Sequence, residues 1–264
     1  MPALKIGIQT ASLRQPLKQA LITANRLGAE GVEIDARREL QPAELSQTAL
    51  RQVRKWLDDL KLRVCAVRYQ TRRGYNVAEQ LEQRIAGTKA AMRLAQSLGC
   101  PIVVNQIGSV PEKSEGPEWN MFMQALTDMG NFGQHYGALL TAETGSESGA
   151  DLARLLRALP PGSAGADLNP GNLIVSGYSP IEAVEALGDL ILHVHAKDGV
   201  RDATRGRGLE VELGRGMVDF PALLGALEEH NYRGFLTIER YGSADPVFEI
   251  GQAVKFLRSL IQGG

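Results

Sequence analysis

Short apolar runs, each closing on a polar residue, alternate along the chain with longer stretches whose apolar positions recur every three or four residues. The runs lie near residues 4 to 9, 31 to 35, 62 to 68, 101 to 106, 138 to 143, 165 to 169, 191 to 197 and 234 to 239. Several follow a glycine, as in RLGAEGVEID, SLGCPIVVNQ, HYGALLTAE and NYRGFLTIER. Glycine just past a helix tolerates the left-handed backbone that ends it, and a continuous apolar run suits a parallel strand covered on both faces. The intervening stretches read as amphipathic helices. In the last of them Val247, Ile250, Val254, Leu257 and Ile261 form a one-sided apolar stripe. Ser179-Pro180-Ile181-Glu182 predicts a capped helix start with proline in the first turn, and Asp245-Pro246 predicts another.

Eight strands separated by helices make this an α/β chain. At 264 residues the count points to a (β/α)8 TIM barrel rather than an open doubly wound sheet. No linker or low-complexity stretch divides it, so residues 1 to 264 are expected to form a single domain. The longest irregular stretches, about 69 to 77, 107 to 117 and 198 to 218, all follow strands, where a barrel builds its active site.

The densest polar signal is Ile191-Leu192-His193-Val194-His195-Ala196-Lys197-Asp198. On a strand His193, His195 and Lys197 share one face. Burying two imidazoles and an ammonium without partners costs several kcal/mol, so that face is expected to line a ligand site. Other strands end on Gln9, Glu33 with Asp35, Arg68, Asn105, Glu143, Asp167 with Asn169, and Glu239. Glu143, His195, Glu239 and an oxygen from Asp167 or Asn169 form a mixed O/N set suited to one divalent ion, Mn²⁺, Mg²⁺, Co²⁺ or Zn²⁺. The alternative is that each carboxylate pairs with a nearby arginine or lysine.

Composition narrows the function. Lysine plus arginine number 29 and aspartate plus glutamate 30, a net charge of −1, so no global field attracts nucleic acid or a membrane surface. Cys65 and Cys100 lie in no metal-binding or redox spacing and read as packing residues. Trp56, Met92 and Trp119 fall in helical segments and read the same way. The amino terminus reads as a strand rather than a signal peptide, which sets the expected location as the cytoplasm.

The strand-end Glu143 in LLTAETG, the run GADLNPGNL, HVHAKDG at 193 to 199, and LGRGMVDFPALLGALEEHNYRGFLTIE at 213 to 239 together resemble the sugar phosphate isomerase/epimerase family of xylose isomerase-like barrels. The resemblance covers essentially the whole chain. It implies that Glu143, His195 and Glu239 are metal ligands and that the two glutamates also serve as the acid/base pair. It places Asn169 where the family has a ligating aspartate, with Asp167 as the other candidate two residues earlier. It also places Asn172 where some members have a substrate-contacting histidine.

Epimerisation, or aldose-ketose isomerisation, needs a base for a carbon-bound proton and a group that holds the enolate oxygen. The expected activity is therefore a metal-dependent isomerase or epimerase acting on a small carbohydrate through Glu143 and Glu239. A keto-cyclitol dehydratase on the same site and a non-catalytic sugar-binding barrel are the alternatives. A nuclease resembling endonuclease IV is disfavoured, since four histidines are too few for its zinc cluster. Lys197 either polarises a substrate oxygen or pairs with Asp198, and Glu33 either binds a hydroxyl or pairs with an arginine. Asn105 is a further candidate contact. His193 is expected to be hydrogen-bonded inside the barrel, and His135 and His230 to be solvated near helix ends. Arg37, Arg38, Arg68, Arg72, Arg73, Arg201, Arg205, Arg207 and Arg240 follow strands; they suggest an anionic sugar, with Arg68 and Arg207 as contacts, or else a salt-bridged rim.

Overall fold

The computed structural model describes residues 4–202 and 206–263. Its strands are β1 Lys5–Gln9, β2 Gly31–Asp35, β3 Arg63–Arg68, β4 Ile102–Asn105, β5 Leu139–Glu143, β6 Ala164–Leu168, β7 Ile191–Ala196, β8 Asp198–Asp202, β9 Arg207–Val211 and β10 Phe235–Ile238. Eight of them close into one parallel barrel in the order β1-β10-β7-β6-β5-β4-β3-β2. These are the eight apolar runs of the sequence, matched to within one or two residues at each end. The chain is a single TIM-barrel domain.

Helices α1 Leu17–Leu27, α2 Gln47–Asp59, α3 Leu81–Ser97, α4 Pro117–Tyr136 and α5 Gly149–Ala158 follow β1 to β5 in turn. After β6 come a short α6, Pro170–Ser176, and then α7, Pro180–Leu187; α8 Phe220–Glu229 and α9 Pro246–Gly263 complete the ring. Ser179 caps α7, its hydroxyl accepting from the Glu182 N–H at 3.3 Å, and Asp245 caps α9 through the Phe248 N–H at 3.1 Å. Both starts were legible as a cap followed by proline. The apolar helix faces pack on the barrel exterior in one continuous core that includes Met92, Trp119 and Leu257, with Trp56 partly buried against it.

The 198 to 218 stretch is more ordered than its sequence suggests. It carries the antiparallel hairpin β8–β9, in which Asp198 faces Val211 and Asp202 faces Arg207. The hairpin packs against α6, where the Arg201 guanidinium donates to the Val175 carbonyl at 2.5 Å. Cys65 and Cys100 are both buried. Burial raises both thiols, Cys100 to about 12, consistent with packing residues. No helix among the described residues is long and apolar enough to cross a membrane.

Candidate functional site

Alternation along the strands sends every second side chain into the barrel. Gln9, Glu33, Arg68, Glu143, Asp167 and His195 lie within two residues of the C-terminal ends of their strands, and Asn169 and Glu239 follow β6 and β10 by one residue. All eight are at most 3% exposed. Charges so far from water persist only with partners, and here the partners are one another.

Asn169 sits at the centre. Its backbone is the N-cap of α6, and its Oδ1 accepts from the Asn172 N–H at 3.1 Å. Its Nδ2 therefore faces inward, donating to Glu143 Oε1 at 2.9 Å and to Glu239 Oε2 at 2.8 Å. Swapping the amide would set oxygen against two carboxylates and nitrogen against a backbone N–H, so the network itself fixes the orientation. Asn172 Nδ2 adds a third donor to the cluster, 3.1 Å from Glu143 Oε1. Opposite, the Arg68 guanidinium lies 3.2 Å from Glu143 Oε2, 3.4 Å from Glu239 Oε1 and 3.8 Å from Glu33 Oε1.

His195 bridges two carboxylates, with Nδ1 2.7 Å from Asp167 Oδ2 and Nε2 2.9 Å from Glu33 Oε2. Burial works against its charged form, but Asp167, Glu33 and Glu239 outweigh it and hold the imidazole well above its usual range. Glu33 is held well below the carboxylate range: burial would raise it, and His195, His193 and Arg68 overcome that. His193 lies 3.6 Å from Glu33 Oε2, and its Nε2 has no hydrogen bond. The expected hydrogen-bonded role is thus not met at that nitrogen. His135 and His230 are exposed at the ends of α4 and α8, as their sequence positions suggested.

The two glutamates at the centre differ electrostatically. Burial raises Glu143, reinforced by the neighbouring Glu239 and Asp167 and opposed by Arg68. Burial alone would raise Glu239 too, but Arg68, Lys197 and His195 hold it down to about 2.

Lys197 does not pair with Asp198 in the fold. Its Nζ lies 3.3 Å from Glu239 Oε2 and 3.4 Å from Glu210 Oε2, while Asp198 turns the other way. α6 can lie this close to Lys197 because residue 171 is glycine; a Cβ there would fall 2.7 Å from Lys197 Cγ. The buried Asp198 carboxylate accepts from the backbone N–H groups of Gly199, Gly214, Gly216 and Val218 at 2.8, 3.0, 2.9 and 3.1 Å. It ties the strand following β7 to the segment after the hairpin, and so fixes where Glu210 reaches the mouth. Asp198→Asn removes the charge and turns an NH2 toward N–H donors. The expected cost is about 2 to 4 kcal/mol, a fall in Tm of roughly 5 to 15 °C with faster amide exchange over residues 207 to 218. An unchanged Tm would contradict this role.

Above the cluster a cavity of about 600 Å³ opens between Asp35, Arg37, Arg38, Gln70, Thr71, Arg72, Gln106 and Tyr241. A larger cavity, about 710 Å³, opens at the other end of the barrel among strand starts such as Arg63, Ile102 and Phe235. The carboxylates lie toward the former end. Tyr241, Glu210, Gln70 and Gln106 were not singled out by the sequence. Glu210 was hidden because the stretch around it read as irregular; in the fold it joins Lys197 to Arg240, whose Nη1 is 2.6 Å away.

The remaining expected contacts divide. Asn105 is engaged within the protein: its Oδ1 accepts from the Thr71 N–H at 3.0 Å and its Nδ2 donates to the Tyr75 hydroxyl at 2.6 Å. It pins the loop after β3. Glu33 pairs with Arg68 and the histidines and accepts from Gln9 Nε2 at 2.8 Å, so its arginine-pairing alternative is the one observed. Arg207 is exposed on β9 opposite Asp202 and is not among the residues lining the cavity at the mouth. Among the other arginines, Arg37, Arg38 and Arg72 line that cavity, Arg73 pairs with Glu79, and Arg205 lies outside the described residues.

The donor set suits a metal. Glu143, His195 and Glu239 each offer an atom within 4.8 Å of the others, as do Glu33, His193 and His195. Donors around one ion with bonds of about 2.1 Å lie up to about 4.2 Å apart, close to the spacing of these atoms. Asp167 Oδ1 and Glu239 Oε1 are buried oxygens without a hydrogen-bond partner, the kind of acceptor a cation would satisfy. Asn169, in contrast, presents its amide nitrogen to the carboxylates rather than its oxygen.

Comparison with known proteins places the fold among relatives. The inosose dehydratase of Lacticaseibacillus casei is 26% identical over 144 residues, covering 46% of this chain and 47% of the relative; the chain thus spans about half the length of the curated relatives it matches. The solved xylose isomerase domain protein from Planctomyces limnophilus is 27% identical with a TM-score of 0.89 over the whole of both chains. The IOLI protein, solved with a bound zinc atom, shares the fold at 19% identity and a TM-score of 0.82, covering 98% of this chain and 99% of its own. The family model described as xylose isomerase-like TIM barrel matches residues 21–260, and the chain belongs to that family.

Proposed function

We propose that this barrel transfers a proton at the carbon beside the carbonyl of a small polyhydroxylated ketone, as an isomerase or epimerase of a sugar, sugar acid or sugar phosphate. The observation that carries the reading is the meeting of Glu143 and Glu239 at one amide, Asn169 Nδ2, with protonation pushed in opposite directions. Two carboxylates with separated affinities for the proton are what acid/base chemistry on one substrate requires. Glu143, which burial raises, takes the carbon-bound proton and returns it. Glu239, ionised beside Lys197, addresses the substrate from the second direction, and Lys197 Nζ holds the substrate oxygen that gains charge. Asn169 and Asn172 keep Glu143 aimed inward.

A divalent ion, Mn²⁺, Mg²⁺, Co²⁺ or Zn²⁺, held by Glu143, His195 and Glu239 would supply a Lewis acid for that oxygen. The arginines at the mouth favour an anionic substrate. A second reading, dehydration of a keto-cyclitol, is favoured by the inosose dehydratase relatives; it begins with the same proton abstraction and continues with loss of a β-hydroxyl. Incubating the protein with ketoses, uronic acids, sugar phosphates and 2-keto-myo-inositol separates the two by product. A new isomer of unchanged mass supports the first, loss of one water supports the second, and no product from any class on the panel contradicts both.

A further inference from the structure

Arg68 ends β3 inside the barrel, 3% exposed, and its guanidinium meets the same two carboxylates on which a metal would depend. Nη2 takes Glu143 Oε2 at 3.2 Å, and Nη1 faces Glu239 Oε1 at 3.4 Å. The other oxygens of both glutamates face nitrogen as well, Glu143 Oε1 accepting from Asn169 and Asn172 and Glu239 Oε2 facing Asn169 and Lys197. Arg68 is not held by geometry alone, since its Nη1 is buried without a hydrogen bond. Charge is what places it there. A guanidinium cannot shed its proton in a protein, so unlike a histidine or a lysine it cannot make way for a metal by becoming neutral. It has to move.

We propose that Arg68 is the resident cation of this site, and that a divalent ion binds Glu143 and Glu239 only by displacing its guanidinium. Two cations repel within the span of the cluster, and a ligand that must first open its site binds with an affinity lowered by the fraction of molecules already open. The inference concerns cation binding alone and holds whichever reaction the barrel runs, so its test uses no substrate.

The test is a Mn²⁺ titration, by calorimetry and by the electron paramagnetic resonance signal of free Mn²⁺, of chelator-stripped wild type and Arg68→Met. Arg68→Met is expected to bind one Mn²⁺ at least tenfold more tightly than wild type and to gain more in Tm on Mn²⁺ addition. A smaller difference in affinity overturns the proposal. Because Arg68→Met leaves three buried glutamates facing one another, wild-type crystals soaked in millimolar Mn²⁺ provide a measurement independent of that variant's folding. Mn²⁺ at Glu143 and Glu239 with Arg68 swung away, or no Mn²⁺ there with Arg68 in place, supports the competition. Mn²⁺ bound beside an unmoved Arg68 overturns it.

Discussion

Glu143→Gln is expected to lower kcat by a hundredfold to ten-thousandfold on any substrate the barrel turns over, while the protein still folds. The range is that of losing a positioned acid/base group. Glutamine retains an oxygen for the Asn172 and Asn169 donors, 3.1 and 2.9 Å from Glu143 Oε1, so the frame of the site persists. What is lost is the proton acceptor and the charge facing Arg68, at a stability cost of about 1 to 3 kcal/mol. Because Glu143 transfers the proton rather than anchoring the substrate, the fall belongs in kcat, with KM changing little. Steady-state kinetics beside a thermal melt check this. A variant with near wild-type kcat would remove Glu143 from the chemistry.

Asp167→Ala should be the most damaging single change to stability in the cluster. Asp167 is fully buried and holds His195 Nδ1 at 2.7 Å, and deleting one partner of a buried ion pair costs about 3 to 5 kcal/mol because the other is left uncompensated. For a chain of this size that is a fall in Tm of roughly 10 °C. The effect has a defined pH dependence. His195 is held well above its ordinary value of 6.5, so its contribution is fully present below pH 6.5 and is lost as the pH rises through the elevated value. The deficit of Asp167→Ala relative to wild type is therefore largest at acidic to neutral pH and narrows in alkali. Melts from pH 6 to 10 test this, and a deficit that grows with pH would contradict the assignment. Asp167→Asn, which keeps an oxygen for the Nδ1–H, should lose less than the alanine variant.

The barrel was legible because each parallel strand is buried on both faces and so appears as an unbroken apolar run, ended by a polar residue where the chain leaves the core. Glu143, His195 and Glu239 stood out for the same reason, as charged groups closing apolar runs. Three features needed coordinates. The β8–β9 hairpin is organised by one carboxylate, Asp198, gathering four backbone N–H groups, and strand periodicity carries no trace of that. The direction of the Asn169 amide follows from its capping of α6, a local contact that strand periodicity does not show. The position of Arg68 depends on how far a long side chain reaches across the barrel. Its place at a strand end marked it for an anionic substrate, whereas in the fold the anions it meets are Glu33, Glu143 and Glu239.

The most direct test of proton transfer at this cluster is hydrogen-deuterium exchange at carbon in the substrate, followed by proton NMR in D2O with 2-keto-myo-inositol and a panel of ketoses. Exchange at the carbon beside the carbonyl requires only abstraction and return of a proton, so it is visible even where product does not accumulate. Wild type is predicted to wash out that proton for at least one of them, and Glu143→Gln to leave it in place. Retention of the proton by wild type throughout, or equal washout by the two proteins, would contradict the account.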